Sequence, residues 1–510
     1  MNERDLTGTD GVHAAQGSEQ IPRGHGAELA RPKVTEEPPV RSQRSHSSDE
    51  TGESRWSEGL QEGGCDMTRP DEEQPAQVPL AQQAGLTYAR WRWVKRSAWT
   101  MRMLTTLEQG IKGGKWFRLI DKVHSEKNLL AAFTQVAAKD GASGVDHMTV
   151  EEFQERLPER ISAIEAEIRL RSYKPQSIRR VHIPKPGTNE TRPLGIPTVR
   201  DRVVQAAVLN VIEPIFERDF AEHSYGFRPG RGCKDALRRV GNLLKAGYTH
   251  VVDADLKGYF DTIPHARLMS RLEEKIADGP LLALIELFLK ASIMDGMEEW
   301  APVKGAPQGA VLSPLLSNIY LNPLDHMMAG KGFEMVRYAD DFVILCRSAE
   351  EAAMALEEIR VWVQENDLVL HPTKTKLIDA KAEGFDFLGY HFHKAGYKWP
   401  REKSLKKFKD TIRMKTTRSN GLSIEAIIAN VNRTLRGWYE YFKHCKRWIF
   451  ERLDQWIRRR LRSIMRGYIG LSGISRGGRD NQRWPSAFFD GLGLFSLLDA
   501  HIRECQSSSR

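Results

Sequence analysis

Two aspartates stand side by side between two apolar runs. Met335-Val336-Arg337 leads into Tyr338-Ala339-Asp340-Asp341, and Phe342-Val343-Ile344-Leu345-Cys346 follows. Short runs rich in β-branched and aromatic residues read as strands, and so few residues between them leave room only for a tight antiparallel hairpin. The chain must therefore contain a sheet with two carboxylates at one end. Neighbouring strand residues point to opposite faces, but a turn relaxes that alternation and lets both acids reach one site. An Asp-Asp pair in a turn is ordinarily solvated turn chemistry. Its company decides what it means.

That company is Val251-Val252-Asp253-Ala254-Asp255-Leu256-Lys257-Gly258-Tyr259-Phe260-Asp261, an apolar strand running into a carboxylate and then a Lys-Gly break. Three carboxylates gathered at one place repel one another unless cations neutralise them. Two Mg²⁺ ions about 3.5–4 Å apart would do so, and would clamp the attacking and leaving oxygens of a phosphoryl transfer. Asp253 shares a strand face with Asp255 by period-two geometry, a neighbour rather than an expected primary ligand.

Charge is distributed unevenly. The net +9 divides into −8 over residues 1–89, +3 over 90–400 and +14 over 401–510. A basic end interleaved with Trp438, Tyr439, Tyr441, Phe442, Trp448 and Trp456 suggests a surface that meets phosphates. Residues 1–85 hold one Trp and no Phe or Tyr, and are expected to be a disordered acidic tail. Strands are expected at 178–183, 250–256, 335–337, 342–346 and 377–378. Helices are expected at 158–170, 203–216, 234–246, 281–289 and 350–366, and two long basic ones at 424–442 and 448–465. Interspersed helices and strands point to an α+β class. No run approaches the ~20 apolar residues of a membrane span. The first residues open no secretory signal, and the five cysteines form no metal or disulfide pattern. A soluble, cytoplasmic protein with no membrane partner is expected.

The blocks between these landmarks resemble group II intron reverse transcriptases. Ile183-Pro184-Lys185-Pro186 with Arg192-Pro193-Leu194-Gly195-Ile196-Pro197, then Asp201-Arg202-Val203-Val204-Gln205, is similar to their fingers, as is Ser224-Tyr225-Gly226-Phe227-Arg228-Pro229-Gly230. Gly305-Ala306-Pro307-Gln308-Gly309 followed by Leu312-Ser313-Pro314-Leu315 resembles their fourth block, and Phe387-Leu388-Gly389-Tyr390 their primer grip. Arg436-Gly437-Trp438-Tyr439-Glu440-Tyr441-Phe442 resembles the thumb, or X, domain of intron maturases. The chain is thereby identified as a member of the bacterial group II intron-encoded reverse transcriptase and maturase family. The resemblance implies a right-hand polymerase fold, with fingers and an antiparallel-sheet palm, followed by an all-helical thumb. Its expected boundaries are N-terminal extension and fingers at 86–250, palm at 251–395, thumb at 396–465 and a short DNA-binding-like tail at 466–510.

The resemblance also implies roles. Asp255, Asp340 and Asp341 become the catalytic, metal-binding triad for two Mg²⁺ ions. Lys185 and Arg192 would hold the incoming triphosphate, Phe260 would crowd a ribose 2′-hydroxyl, and Gln308 and Gly309 would lie against the templating pair. Lys374 would neutralise the leaving group, and Leu388, Gly389 and Tyr390 would grip the primer. Arg436, Trp438, Tyr439, Arg458, Arg459 and Arg460 would contact RNA. Expected partners are the group II intron RNA, a DNA target, a primer–template duplex and dNTPs, in a bacterial cytoplasm at the nucleoid. Many relatives end in an HNH endonuclease, but only Cys505 lies beyond the thumb here, so second-strand cleavage is not expected. A splicing-only maturase, or a CRISPR-associated or otherwise domesticated reverse transcriptase, stands as the alternative.

Overall fold

Strand pairing sets the frame of the computed structural model, which describes residues 89–111, 113–184, 191–393, 397–418, 421–471, 473 and 478–507. The expected disordered tail and Lys185 lie outside the described residues. Five helices open the described chain: Met101–Gln109, Ile120–Val123, Glu126–Ala137, Val150–Glu155 and Leu157–Arg169. The last buries Ile161, Ile164 and Ile168, the apolar spacing read from sequence, with Pro158 in its first turn. Strands β1 (Ile178–Pro184) and β2 (Thr191–Ile196) pair antiparallel. Helices Val199–Glu217 and Cys233–Lys245 lead to β3 (His250–Asp255). A helical turn Tyr259–Thr262 and helices His265–Glu273 and Gly279–Leu289 precede β4 (Ile293–Asp295) and β5 (Glu298–Trp300). The first sheet is ordered β2-β1-β4-β5, with β1 and β4 parallel.

Helix Ser313–Gly330 then feeds the acid-bearing hairpin, β6 (Glu334–Tyr338) and β7 (Asp341–Cys346). Helix Ala349–Glu365 and β8 (Lys376–Asp379) complete a second sheet, ordered β6-β7-β3-β8. All its pairings are antiparallel. β9 (Phe385–Phe387), β10 (Tyr390–His393) and β11 (Tyr397–Pro400) form a third, small sheet. Beyond it the described residues are helical: Glu402–Lys415, Ile424–Phe442, Arg447–Tyr468, Arg479–Arg483, Ser486–Gly491 and Leu497–Ser507.

The second sheet is buried on both faces. Alternation sends Val252, Ala254, Phe342 and Ile344 into a core shared with the N-terminal helices and Tyr320. It sends Val251, Val336, Val343 and Leu345 the other way, against helix Cys233–Lys245 and the third sheet, in a core that the C-terminal helices complete. Those helices present matching stripes: Ile424, Ile427, Ile428, Val431, Leu435, Tyr439 and Phe442 on one, Ile449, Phe450, Leu453, Ile457, Leu461 and Ile464 on the next. The α+β reading and the helical end agree with this architecture. β2, β4, β5 and β9–β11 were not expected. β2 carries Pro193 and Gly195, and the others are three or four residues long. Among the described residues, no helix is long and apolar enough to cross a membrane.

Candidate active site

The carboxylates meet at one end of the second sheet. Asp255 closes β3 and lies in register opposite Asp341, which opens β7. Asp340 sits in the turn, preceded by Ala339 at φ 61°. By alternation Asp253, Asp255 and Asp341 share the face that also carries Val251 and Val343, toward the third sheet. There they line an open cavity of about 820 Å³ with Lys374, Arg401 and Trp399. The Lys374 ammonium donates to Asp255 Oδ2 at 2.7 Å, and the backbone N–H of His371 donates to the Asp255 carbonyl at 2.7 Å.

Proximity shapes the titration of these groups. Burial, and then the charges of Asp253, Asp340 and Asp255, push Asp341 up to about 7, against the pull of Arg401. Burial together with Asp255 and Asp386 lifts Asp253 to about 6. Asp340 is also raised, by burial and then Asp255, while a backbone hydrogen bond, Arg192 and Arg337 oppose the shift. A carboxyl whose pKa rises on folding binds more protons folded than unfolded. Stability from Asp341 is thus present near pH 4 and lost as pH rises through about 7. Asp341→Asn is expected to raise stability at pH 8 by ~1–3 kcal/mol in chelator, with the gain shrinking toward pH 4. Thermal melts across pH check this, and a variant less stable than the parent at pH 8 would contradict it.

The donor set suits a hard divalent cation. All three groups are carboxylates, and the Lys374 ammonium already occupies a cation's place against Asp255. Among the described residues no group of three or more His, Cys, Asp or Glu side chains is placed to hold a metal ion by itself. Mg²⁺ seldom uses such a group: it binds through one or two carboxylates, with waters and substrate phosphates completing its shell.

Other expected residues fall around this centre. Arg192 Nε donates to Gln308 Oε1 at 2.7 Å, so two residues expected to handle the nucleotide are tied together. Gly309 has φ 105°, and a Cβ there would strike the Gly195 carbonyl. Its need for glycine is met inside the chain, at the contact where Gly195 N–H donates to the Gln308 carbonyl at 2.6 Å. Phe260 is buried, edge-on to Tyr259. It also borders a cavity of about 440 Å³ with Arg180, Pro193 and Trp300. Leu388 (φ 45°) and Gly389 (φ 81°) form a tight turn whose carbonyls accept from Tyr441 Oη and from Arg401 N–H. Tyr390 is fully buried and donates to the Tyr441 carbonyl, so it is a pillar under the turn rather than an exposed grip.

The expected RNA contacts need correction. Tyr439 is 3% exposed, and Trp438 packs on Phe408 and Phe442 at 4.6 and 4.8 Å between centroids. Tyr439 is a core side chain, and Trp438 is a partly buried one packed against that core. Arg458 pairs with Asp490 at 3.0 Å, and Arg460 donates to Thr416 Oγ1 at 2.6 Å, so both are engaged within the chain. Arg436 is exposed, stacked over Phe495. Arg459 and Arg460 line an open groove of about 500 Å³ with Arg413, Arg418 and Trp456. Sequence reasoning missed Arg401, which faces Asp341, and Arg337, the fully buried cation of β6. A charged residue inside an apolar strand was the available signal for the second.

Residues 183–392 match the family model for reverse transcriptase (RNA-dependent DNA polymerase), and residues 405–468 match that for the group II intron, maturase-specific domain. Protein YkfC of Escherichia coli (strain K12) is 36% identical over 286 residues, covering 48% of this chain and 74% of that protein. Group II intron-encoded protein LtrA of Lactococcus lactis subsp. cremoris is 39% identical over 196 residues, covering 38% of this chain and 32% of LtrA. The chain thus spans most of the first relative and about a third of the second. A chain of the solved "Partial Cas6-RT-Cas1--Cas2 complex" is 25% identical, with a TM-score of 0.33, over 48% of this chain and 42% of that one.

Proposed function

This chain belongs to the reverse transcriptase family, and we propose that it is the RNA-directed DNA polymerase and maturase of a bacterial group II intron. The observation that carries the reading is the strand-end meeting of Asp255 with the Asp340-Asp341 turn, within a chain that continues into a maturase-specific domain. Asp255, Asp340 and Asp341 would hold two Mg²⁺ ions. When bound, these supply charge stabilisation for the attacking 3′-hydroxyl and the leaving pyrophosphate. The rest falls to the chain's own side chains. Arg192, fixed by Gln308, and Lys185 hold the triphosphate as permanent cations. Lys374 exchanges its Asp255 partner for the leaving group. Leu388 and Gly389 seat the primer end beside the cavity floor, and Phe260 closes off the space a 2′-hydroxyl needs. The exposed basic side chains of the helical end hold intron RNA, DNA target and primer–template through phosphates and shape.

Purified full-length chain should extend a DNA primer on an RNA template with dNTPs, and should assist splicing of its intron at near-physiological Mg²⁺. Absence of extension in both Mg²⁺ and Mn²⁺ would defeat the polymerase reading. Phe260→Ala should loosen sugar discrimination by about tenfold or more, roughly 1.4 kcal/mol, because the rejection is steric. Steady-state incorporation of each dNTP and rNTP by both forms measures it. An unchanged ratio in a folded variant would assign Phe260 to the core alone.

A further inference from the structure

Beneath the acid-bearing turn lies a polar cluster that the reaction scheme above leaves without a task. Arg337 of β6 is fully buried. Its Nε and Nη2 donate to Asp325 Oδ1 and Oδ2 at 2.7 and 2.5 Å, a bidentate fork. Its Nη1 donates to Asn318 Oδ1 and to the Ala339 carbonyl, both at 2.9 Å. Asn318, itself fully buried, turns its amide to the Gly226 carbonyl at 2.8 Å. Gly226 packs so closely on the turn that a Cβ there would overlap the Ala339 backbone nitrogen. The cluster therefore grips Ala339 from two sides, at its carbonyl and at its nitrogen.

Ala339 needs gripping. At φ 61° its backbone is left-handed, a conformation that a side chain with a Cβ rarely adopts. Left to itself the turn would relax, and the next residue is Asp340. Stability is a poor explanation for the cluster, because a buried ion pair seldom outperforms well-packed apolar side chains. What a two-pronged guanidinium adds is fixed geometry. It also links three distant parts of the chain: the turn, the segment 223–226, and the helix Ser313–Gly330 that follows the Gln308-Gly309 loop.

We propose that Arg337 is the positioning residue of the catalytic turn, its guanidinium holding the Ala339 carbonyl so that the Asp340 carboxylate is fixed where the divalent ions bind. This rests on the polymerase reading and adds to it a residue that touches neither substrate nor metal. Asp325 orients the guanidinium, and Asn318 with Gly226 closes the opposite side of the turn.

Arg337→Lys keeps the charge but cannot make the fork and reach Ala339 together. In the full chain it should slow single-turnover extension by about 10²-fold, the scale of a ~1 Å misplacement. The KM for dNTP should change little. Mn²⁺ binding to the complex with a dideoxy-terminated primer on RNA template, followed by electron paramagnetic resonance, should weaken by about tenfold. Gly226→Ala retains every charge and presses directly on Ala339, and it should reproduce both effects. Folded variants with parental rate and Mn²⁺ affinity would overturn the proposal. So would failure of both variants to fold, which would make the cluster a folding element. If the parent chain itself never extends a primer, the polymerase reading falls instead, and Mn²⁺ binding by the parent and Arg337→Lys still reports on the turn.

Discussion

Asp340→Ala is expected to lower primer extension on an RNA template by about three orders of magnitude or more, some 4 kcal/mol on the barrier. Asp255→Ala should do the same. Each removes a ligand from a centre whose chemistry depends on placing cations between two oxygens, and no described neighbour stands ready to replace it. Asp253 faces Asp341 more than the turn, and Lys374 brings charge of the wrong sign for a metal ligand. The fold should survive. Asp340 and Asp341 are both raised by burial and by neighbouring carboxylates, so removing one relieves repulsion. The measurements are single-turnover extension in Mg²⁺ and thermal melting of the same preparations. An active Asp340→Ala enzyme would remove the triad, and an unfolded one would leave its role untouched while refuting the repulsion argument. Binding of intron RNA and assisted splicing should persist, because the basic helices lie elsewhere in the chain.

The second large effect concerns the helical end. Trp438→Ala should destabilise the protein by ~3 kcal/mol, the low end for a large aromatic, because Trp438 is partly buried against the core. Trp438 stacks on Phe408 and Phe442 and meets Phe450 edge-on, joining three successive helices. Tyr439→Ala should behave alike. Tyr439→Phe makes the sharper comparison, because its buried hydroxyl has no hydrogen-bond partner. Deleting that oxygen should be neutral or stabilising, by up to ~1–2 kcal/mol. Denaturant titrations of the three variants, alongside RNA binding by the folded ones, separate packing from recognition. A Tyr439→Phe form that keeps its stability but loses RNA affinity would restore Tyr439 as an RNA contact.

Residues reveal unequally much of this in a sequence. The three acids were legible because each ends or begins an apolar run, and a run of that length in that company has one way to pair. The buried helices were legible through periodicity, as at Ile161, Ile164 and Ile168. The same periodicity also marked Tyr439, four residues after Leu435 and on its stripe. An aromatic beside arginines was read instead for its composition. Arg337 stood out only as a charge inside an apolar strand, and its task was not legible, since its partners Asp325 and Asn318 are brought to it only by the fold. β9–β11 escaped for a different reason: three or four residues carry too little pattern to distinguish a strand from a loop.

The sheet that carries the acids has no free face. One side leans on the helices Ser313–Gly330 and Ala349–Glu365, and the other on helix Cys233–Lys245 and β9, behind which the helices that follow residue 400 complete the same core. It works as a party wall between two rooms, and neither room can be demolished without exposing the plaster. A lineage discarding its splicing role could not simply shed the maturase helices. It would first have to repaint Tyr390, which rests on Tyr441 and Phe442 beneath the turn beside the catalytic floor. The two proposed activities are thus bound together by masonry, and a chain that keeps one has a mechanical reason to keep the architecture of the other.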